Sequence, residues 1–197
     1  MTYSGKEDVF AEGAYDLCIA NSVVHHILDY TAFFVEVRKA LKPTGRALFL
    51  EPSYLFHLAL TLAANDTLVA MIGDGTLSAD ADVKAFSSWV AHLRASLIFA
   101  DLDRSKMEDK HMFSRDDLAL ASRSAGFARA TVLPWGSDPL GIETLNGYIH
   151  EIGISQQFGA VFFPRYLPFA KHHFQRLAEN DKCAMYIVGL QVGADAN

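Results

Sequence analysis

The chain has 197 residues, of which 51% are hydrophobic and 20% are charged, and its formal net charge at pH 7 is -6. This composition is sufficient to bury a core in one domain and excludes a largely disordered chain. A negative balance, with no run of Lys and Arg interleaved with aromatic residues, argues against a nucleic-acid partner.

A strand, a helix and a second strand are predicted near the start of the chain. The apolar run Leu17–Ala20 is short and bounded, as is typical of a strand buried on both faces of a parallel sheet. From Thr31 to Leu41 apolar positions recur at helical spacing, and Lys42-Pro43 ends the helix. A second apolar run, Ala47–Leu50, then completes a right-handed parallel crossover.

The segment 54–112 is predicted to be a helical insertion. It follows the carboxyl end of a strand, where ligands bind in α/β proteins, so we expect a lid or substrate-binding region. Asp82 is a candidate N-cap within it. Gly73-Asp74-Gly75 fits an ordinary turn between helices, with a ligand-binding loop as the alternative.

The remaining elements return the chain to the sheet. A capping-box-like start predicts a helix over Ser114–Ala125, and Ala130–Leu133 follows as a strand. A second helical insertion over 139–182 is expected to be broken by its glycines and prolines. Cys183–Val192 is the last predicted strand.

Four short motifs in this order resemble class I S-adenosylmethionine-dependent methyltransferases of the type 11/12 kind. They are Tyr15-Asp16-Leu17, His25-His26, Leu41-Lys42-Pro43-Thr44-Gly45-Arg46 and Ala125-Gly126-Phe127, with Thr44 in place of the usual first glycine. The resemblance implies an α/β fold: a partial Rossmann-like methyltransferase sheet of the fourth to seventh strands, the last one antiparallel, with helical insertions.

The resemblance also implies S-adenosylmethionine as the cofactor. The family binds it with a glycine-rich turn after a first strand and with an acidic residue after the second. The residues before Tyr15 are too few for these elements. We therefore expect a single methyltransferase-like domain over 1–197 that is truncated and lacks the main cofactor-binding motif.

Three residues are candidates for the remaining cofactor contacts. Asn21 and Ser22 follow the predicted fourth strand, where the family approaches the methionine portion of the cofactor. Asn21 could instead simply end the strand. Asp8, or Glu7 as the alternative, stands where the family often places an acidic residue near the adenine.

The catalytic candidates are His111 and His26. The segment containing His111 would return over the active-site face, and the ordinary pKa of histidine suits a base for a hydroxyl acceptor. An ordinary surface histidine is the alternative. His26 is expected to line the pocket, with a packing role as an equal alternative. No metal site is predicted, because adjacent histidines such as His25 and His26 should point apart and no metal-ligand spacing supports zinc.

Glu51, Tyr54 and His57 are the candidates for substrate binding. Glu51 follows the predicted fifth strand and could bind a polar group of the acceptor, or it could cap the insertion. Tyr54 and His57 begin the insertion that follows.

Two functions from different classes remain. The first is a methyltransferase for a small-molecule acceptor, with a hydroxyl favoured, which is incomplete as given. The second is a non-catalytic methyltransferase remnant that binds partners or forms a homodimer, because loss of the first strand would leave a hydrophobic strand edge unpaired. An α/β hydrolase is disfavoured because the Gly-x-Ser-x-Gly elbow is absent.

The cysteines and the apolar stretches predict the compartment. Cys18 and Cys183 each lie in an apolar segment, which favours reduced core thiols. No secretory signal is recognisable, and polar residues interrupt the longest apolar stretch, Tyr54 to Ile72. We expect a cytoplasmic protein without a membrane partner.

Overall fold

The computed structural model describes residues 10–78, 80–98, 103–107 and 109–193. The chain divides into two compact units. The first comprises the described parts of Met1–Ser53, Asp103–Trp135 and Met185–Asn197, and the second those of Tyr54–Leu102 and Gly136–Ala184. The second unit therefore corresponds to most of the two predicted insertions, whereas residues 103–112 of the first predicted insertion belong to the first unit.

The described residues form four strands and six α-helices. The strands are β1 (Tyr15–Asn21), β2 (Leu41–Pro52), β3 (Arg129–Trp135) and β4 (Met185–Gln191). The helices are α1 (Tyr30–Ala40), α2 (Tyr54–Gly73), α3 (Ala81–Ile98), α4 (Arg115–Ser124), α5 (Ile142–Glu151) and α6 (Gln156–Phe174). Short 3-10 helices cover Val24–His26, Arg104–Lys106 and Glu179–Asp181.

The four strands form one mixed sheet in the order β1-β2-β4-β3. β1 pairs with β2 in parallel, and β4 runs antiparallel to both β2 and β3. The predicted α/β class and the antiparallel last strand are therefore confirmed. β2 begins earlier than predicted, at Leu41, and its pairing with β1 is irregular between Tyr15 and Leu17. In this part of β2 the backbone of Gly45 comes close to Leu41, so that a Cβ at Gly45 would lie 3.0 Å from Leu41 Cβ.

Helices α1 and α4 cover one face of this sheet. α1 packs on β2, α4 packs on β3 and β4, and the two helices contact each other. The ring of Phe34 in α1 lies 5.3 Å from that of Phe49 in β2, edge to face. Asp29 caps α1 by accepting a hydrogen bond from the Ala32 N–H at 2.9 Å. The predicted capping box of α4 is present, with Ser114 and Asp117 bonded reciprocally.

The edge strand β1 is less buried than its apolar sequence predicts. Leu17 is 54% exposed and Ile19 is 65% exposed. Both side chains lie on the sheet face opposite α1, where Leu48 is also 41% exposed. Burial of β1 on both faces was therefore a wrong prediction for the residues that the structure describes.

The second unit is a helical assembly with an aromatic core. α2 packs against α3 and α6. Within the core, the ring of Phe86 lies 4.9 Å from that of Phe162, and the hydroxyl of Tyr166 donates a hydrogen bond to the Leu140 carbonyl at 2.9 Å. Gly141 adopts a φ of 68°, and a side chain there would meet Leu60 Cδ1 at 2.5 Å. The core therefore requires glycine at this position.

α2 is long and apolar enough to span a membrane by length and composition. More than half of that apolar stretch is buried inside the protein. Length and composition do not by themselves distinguish a membrane span from a core helix.

Candidate functional site

The carboxyl ends of β1 and β2 lie at the same edge of the sheet. Asn21, the last residue of β1, is paired with Leu50 of β2. The Ser22 N–H donates a hydrogen bond to the Leu50 carbonyl at 2.9 Å, which continues the pairing by one residue. Ligands of open α/β sheets bind beyond the carboxyl ends of the strands. This edge is therefore the candidate position for a ligand site in the first unit.

Two exposed polar residues stand at this edge, and one of them has a strained backbone. Ser22 has a φ of 53° and is the one non-glycine residue with positive φ in the described part of the chain. Its hydroxyl donates a hydrogen bond to Asn21 Oδ1 at 3.4 Å. The left-handed conformation costs a residue with a side chain about 1–2 kcal/mol, and such strain concentrates at ligand sites. The predicted cofactor residues Asn21 and Ser22 are thus adjacent and accessible, whereas Asp8 lies outside the described residues.

Glu51 organises the loop that follows. Its carboxylate is fully buried at the end of β2. One oxygen accepts hydrogen bonds from the N–H groups of Val23 and Val24 at 3.2 and 2.9 Å. The other accepts from the His25 N–H at 3.2 Å and bonds His25 Nδ1 at 2.7 Å. The carboxylate satisfies free N–H groups at the start of the Val24–His26 turn, so it holds the loop in place from inside the protein.

The side chains of His25 and His26 converge on one carboxylate. Their ring centroids lie 4.0 Å apart. Asp109 Oδ1 lies 3.5 Å from His25 Nε2 and 3.4 Å from His26 Nδ1. The expectation that these adjacent histidines point apart is therefore wrong. Short turns do not separate neighbouring side chains as a strand does, and here Glu51 fixes the ring of His25.

The segment around His111 is anchored to the same loop. The Lys110 and His111 N–H groups both donate to the His25 carbonyl, at 2.8 and 3.1 Å. The His111 ring is bonded through Nε2 to the Leu28 carbonyl at 3.0 Å and stacks on Phe113. Burial lowers the pKa of His111, and the hydrogen bond to the Leu28 carbonyl partly opposes that change. One of the two ring nitrogens is thus already engaged by the protein.

The other two predicted substrate residues belong to the second unit. The Tyr54 hydroxyl donates to the Leu97 carbonyl at 3.2 Å. His57 is only 2% exposed, and its Nε2 is bonded to the Tyr148 hydroxyl at 3.1 Å. The first unit contains the described candidates Asn21, Ser22, His26, Glu51 and His111.

Sequence reasoning missed Asp109 and the role of His25. Asp109 belongs to the polar stretch before His111, and the only signal was that this stretch should return over the active-site face. His25 was recognisable only as half of a pair, because its partner Glu51 lies on another strand. Both contacts depend on tertiary structure that a local pattern does not encode.

The sequence resemblance is confirmed over part of the chain. Residues 5–49 match a family model described as a methyltransferase domain. This span includes described residues of β1, α1 and most of β2, and it contains Asn21 and Ser22. No curated protein matches the chain.

Several solved structures are similar to this one. Phosphoethanolamine N-methyltransferase 2 of Haemonchus contortus, in complex with phosphomonomethylethanolamine and S-adenosylhomocysteine, is 14% identical with a TM-score of 0.42. The similarity covers 94% of this chain and 35% of that one. A putative methyltransferase of Bacillus halodurans is 10% identical with a TM-score of 0.48, over 98% and 70% of the two chains. The [4+2]-cyclase SpnF is 11% identical with a TM-score of 0.45, over 98% and 54%. The chain thus spans about a third of the length of the Haemonchus enzyme.

Proposed function

We propose that the chain acts in S-adenosylmethionine-dependent methyl transfer to a small-molecule acceptor, with a hydroxyl as the favoured acceptor group. One observation carries the proposal: the methyltransferase-domain match over residues 5–49 includes the polar, strained end of β1 at Asn21 and Ser22. Methyl transfer from a sulfonium needs chiefly alignment of the two reactants and exclusion of water. The exposed polar groups of Asn21 and Ser22 suit the alignment of the cofactor.

Each candidate residue has a role in this proposal. Asn21 and Ser22, together with Asp8, contact the cofactor. His111 and His26 are the candidates for accepting the hydroxyl proton. Both oxygens of Glu51 are already engaged, so Glu51 acts as a positioning residue for the loop rather than through direct contact with substrate. Tyr54 and His57 remain proposed contributors to acceptor binding.

Titration calorimetry of the chain with S-adenosylhomocysteine tests cofactor binding. We expect measurable heat, and we expect Asn21→Ala to weaken binding. Asn146→Ala, an exposed change on α5, is the matched control and should leave the affinity unchanged. Absence of heat at high protein concentration would overturn the proposal for this chain.

Turnover tests the acceptor and the base. Incubation with S-adenosylmethionine and a panel of small alcohols and phenols should give products heavier by one methyl group. His111→Ala should lower turnover and leave the affinity for S-adenosylhomocysteine unchanged. If the His111→Ala variant turns over as fast as the unaltered chain, His111 is not the catalytic base.

A second candidate function is a binding or dimerising module. Its support is the position of β1 at the edge of the sheet, with Leu17 and Ile19 more than half exposed. Exposed apolar edge strands favour pairing with a second copy. Analytical ultracentrifugation should then show a dimer that Ile19→Lys converts to a monomer. Val69→Lys is the matched control, because Val69 is 64% exposed and Ile19 is 65% exposed. A monomeric unaltered chain would contradict this function.

The proposal also includes a cytoplasmic location and partners limited to small molecules or a second copy. Burial raises the pKa of the Cys18 thiol, and Cys183 is buried in the core, which fits reduced and unreactive thiols. Cell fractionation would test the location, and recovery with membranes would contradict it.

A further inference from the structure

The side chains of His25, His26 and Asp109 form a cluster of potential metal ligands. His25 Nε2 and His26 Nδ1 lie 3.5 and 3.4 Å from the same atom, Asp109 Oδ1. The ligand atoms of this group all lie within 4.8 Å of one another. His25 is buried, whereas His26 and Asp109 are exposed enough to admit an ion from solvent.

The separations of the two histidine nitrogens from Asp109 Oδ1, 3.5 and 3.4 Å, match those of neighbouring ligands around a tetrahedral cation. Zinc–nitrogen and zinc–oxygen bonds of about 2.0–2.1 Å place neighbouring tetrahedral ligands roughly 3.4 Å apart, whereas octahedral neighbours would lie about 3.0 Å apart. We propose that His25, His26 and Asp109 bind Zn²⁺. Three protein ligands leave a fourth position for water or for a ligand from solvent.

The buried carboxylate of Glu51 orients the first of these ligands. Glu51 Oε2 lies 2.7 Å from His25 Nδ1. A carboxylate accepts hydrogen bonds, so the Nδ1–H of His25 donates to Glu51, and Nε2 is the nitrogen that would bind an ion beside Asp109. Histidines that bind metals usually donate their other N–H to a carboxylate or carbonyl in this way. Glu51 therefore has the position of an outer partner of the zinc site.

The backbone fixes Asp109 beside this ring. The N–H groups of Lys110 and His111, which directly follow Asp109, both donate to the carbonyl of His25. The main chain on either side of the site is therefore tied together by hydrogen bonds. The negative charges of Asp109 and Glu51 also offset the charge of a divalent cation. The exposed side chains of His26 and Asp109 need only small rotations to close around it.

A second adjacent pair of histidines provides a natural control. His172 and His173 lie in α6, with ring centroids 5.1 Å apart, and His173 Nε2 is bonded to Asp66 Oδ2 at 2.8 Å. Among the described residues, this pair does not belong to a group of three converging ligands. Two adjacent histidines and a carboxylate thus lie close together at both places. Among the described residues, both histidines approach the same carboxylate at His25 and His26, whereas His173 alone is bonded to Asp66.

Titration of the whole chain with Zn²⁺ by calorimetry, and with Co²⁺ by visible absorption, tests the site. We expect one equivalent to bind, with the intense absorption of tetrahedral cobalt. His26→Ala and Asp109→Asn, which alter exposed side chains, should each weaken binding about tenfold or more, because each removes a ligand. His172→Ala should leave the affinity unchanged. Equal loss in this control, no loss in the two ligand variants, or no binding of Zn²⁺ would overturn the site.

Glu51→Gln gives an independent readout. It keeps the shape of the side chain but removes its charge and replaces one acceptor oxygen with a donor, so zinc affinity should fall about 10–100-fold, and circular dichroism checks that the variant is folded. An unchanged affinity in the folded variant would contradict the role of Glu51. The measurements use neither cofactor nor acceptor, so their outcome is separate from that of the methyl-transfer proposal.

Discussion

The two units bury their polar side chains in different ways. In the second unit, His57 is bonded to the neutral hydroxyl of Tyr148, and the Thr61 and Thr67 hydroxyls donate to carbonyls of their own helix, each at 2.7 Å. In the first unit, the buried carboxylate of Glu51 holds the N–H groups of a loop and the ring of His25. Buried polar groups thus complete a helical core in one unit and position accessible side chains in the other. The same residue type, histidine, belongs to a packed core in one and to a candidate site in the other.

The largest expected effect concerns the aromatic core of the second unit. Phe162→Ala removes a fully buried ring from the aromatic core of the second unit. We expect the free energy of unfolding to fall by roughly 3–5 kcal/mol, because the substitution loses burial and leaves a cavity. Urea unfolding followed by far-UV circular dichroism measures it. Phe163→Ala, at the half-buried neighbour, should cost less than half as much, and equal losses would contradict the assigned core.

The next largest effect concerns the buried carboxylate of Glu51 in the first unit. Glu51→Ala leaves the buried donors of Val24 and His25, and the partly buried N–H of Val23, without their acceptor. We expect a loss of about 3 kcal/mol in the free energy of unfolding, because each unsatisfied buried donor costs roughly 1–3 kcal/mol. Hydrogen exchange should show faster exchange of the Val24 and His25 amides.

Glu36→Ala is the matched control for that variant. Glu36 pairs with Lys39 at 2.8 Å on the surface of α1. Such surface pairs contribute at most about 1 kcal/mol. If the Glu36 and Glu51 variants are equally stable, Glu51 does not hold the loop.

The smallest effect concerns the strained end of β1. Ser22→Gly should raise the free energy of unfolding by about 1 kcal/mol, because glycine adopts a positive φ without the steric cost. Ser22→Ala keeps that cost and should give no such gain. The Ser22→Gly variant should also bind S-adenosylhomocysteine more weakly, since it lacks the hydroxyl and the rigidity proposed to serve the cofactor. If Ser22→Gly is stabilised but binds S-adenosylhomocysteine with unchanged affinity, the strained backbone of Ser22 does not contribute to cofactor binding.

Much of the first unit could be predicted from the sequence. The strand, helix and strand between Leu17 and Leu50 have hydrophobic periods that differ clearly, and Pro43 correctly indicated that the helix ends before it, at Ala40. The capping box of Ser114 and Asp117 is a local pattern, and it was confirmed. These features succeed because neighbouring residues determine them.

The second unit was harder to predict because tertiary packing overrides local signals. α6 continues through Pro164 and Pro168, although each proline inside a helix costs about 3 kcal/mol. Burial of Phe158, Phe162, Tyr166 and other members of the same helix face offsets that cost.

The predicted N-cap of α3 was also wrong, for a similar reason. Asp80, rather than the predicted Asp82, caps this helix by accepting from the Val83 N–H at 3.0 Å. Asp82 instead accepts hydrogen bonds from Ser155. Two nearby aspartates offer the same local signal, and a contact distant in sequence decides between them.

The candidate site was the least predictable part, because its contacts join distant segments. Asn21 and Ser22 could be found from the fold rule for parallel strands. The contacts of Glu51 with His25, and of Asp109 with both histidines, require the loop and the segment before His111 to be placed first.

The most direct test of the central claim is a titration of the isotope-labelled chain with S-adenosylhomocysteine, followed by two-dimensional amide NMR. The account predicts saturable shifts concentrated at Asn21, Ser22 and the Val24–His26 loop, with the amides of Thr61 and Phe162 unchanged. Shifts confined to the helical unit, or no shifts at millimolar ligand, would contradict the assignment of the site to the carboxyl ends of β1 and β2.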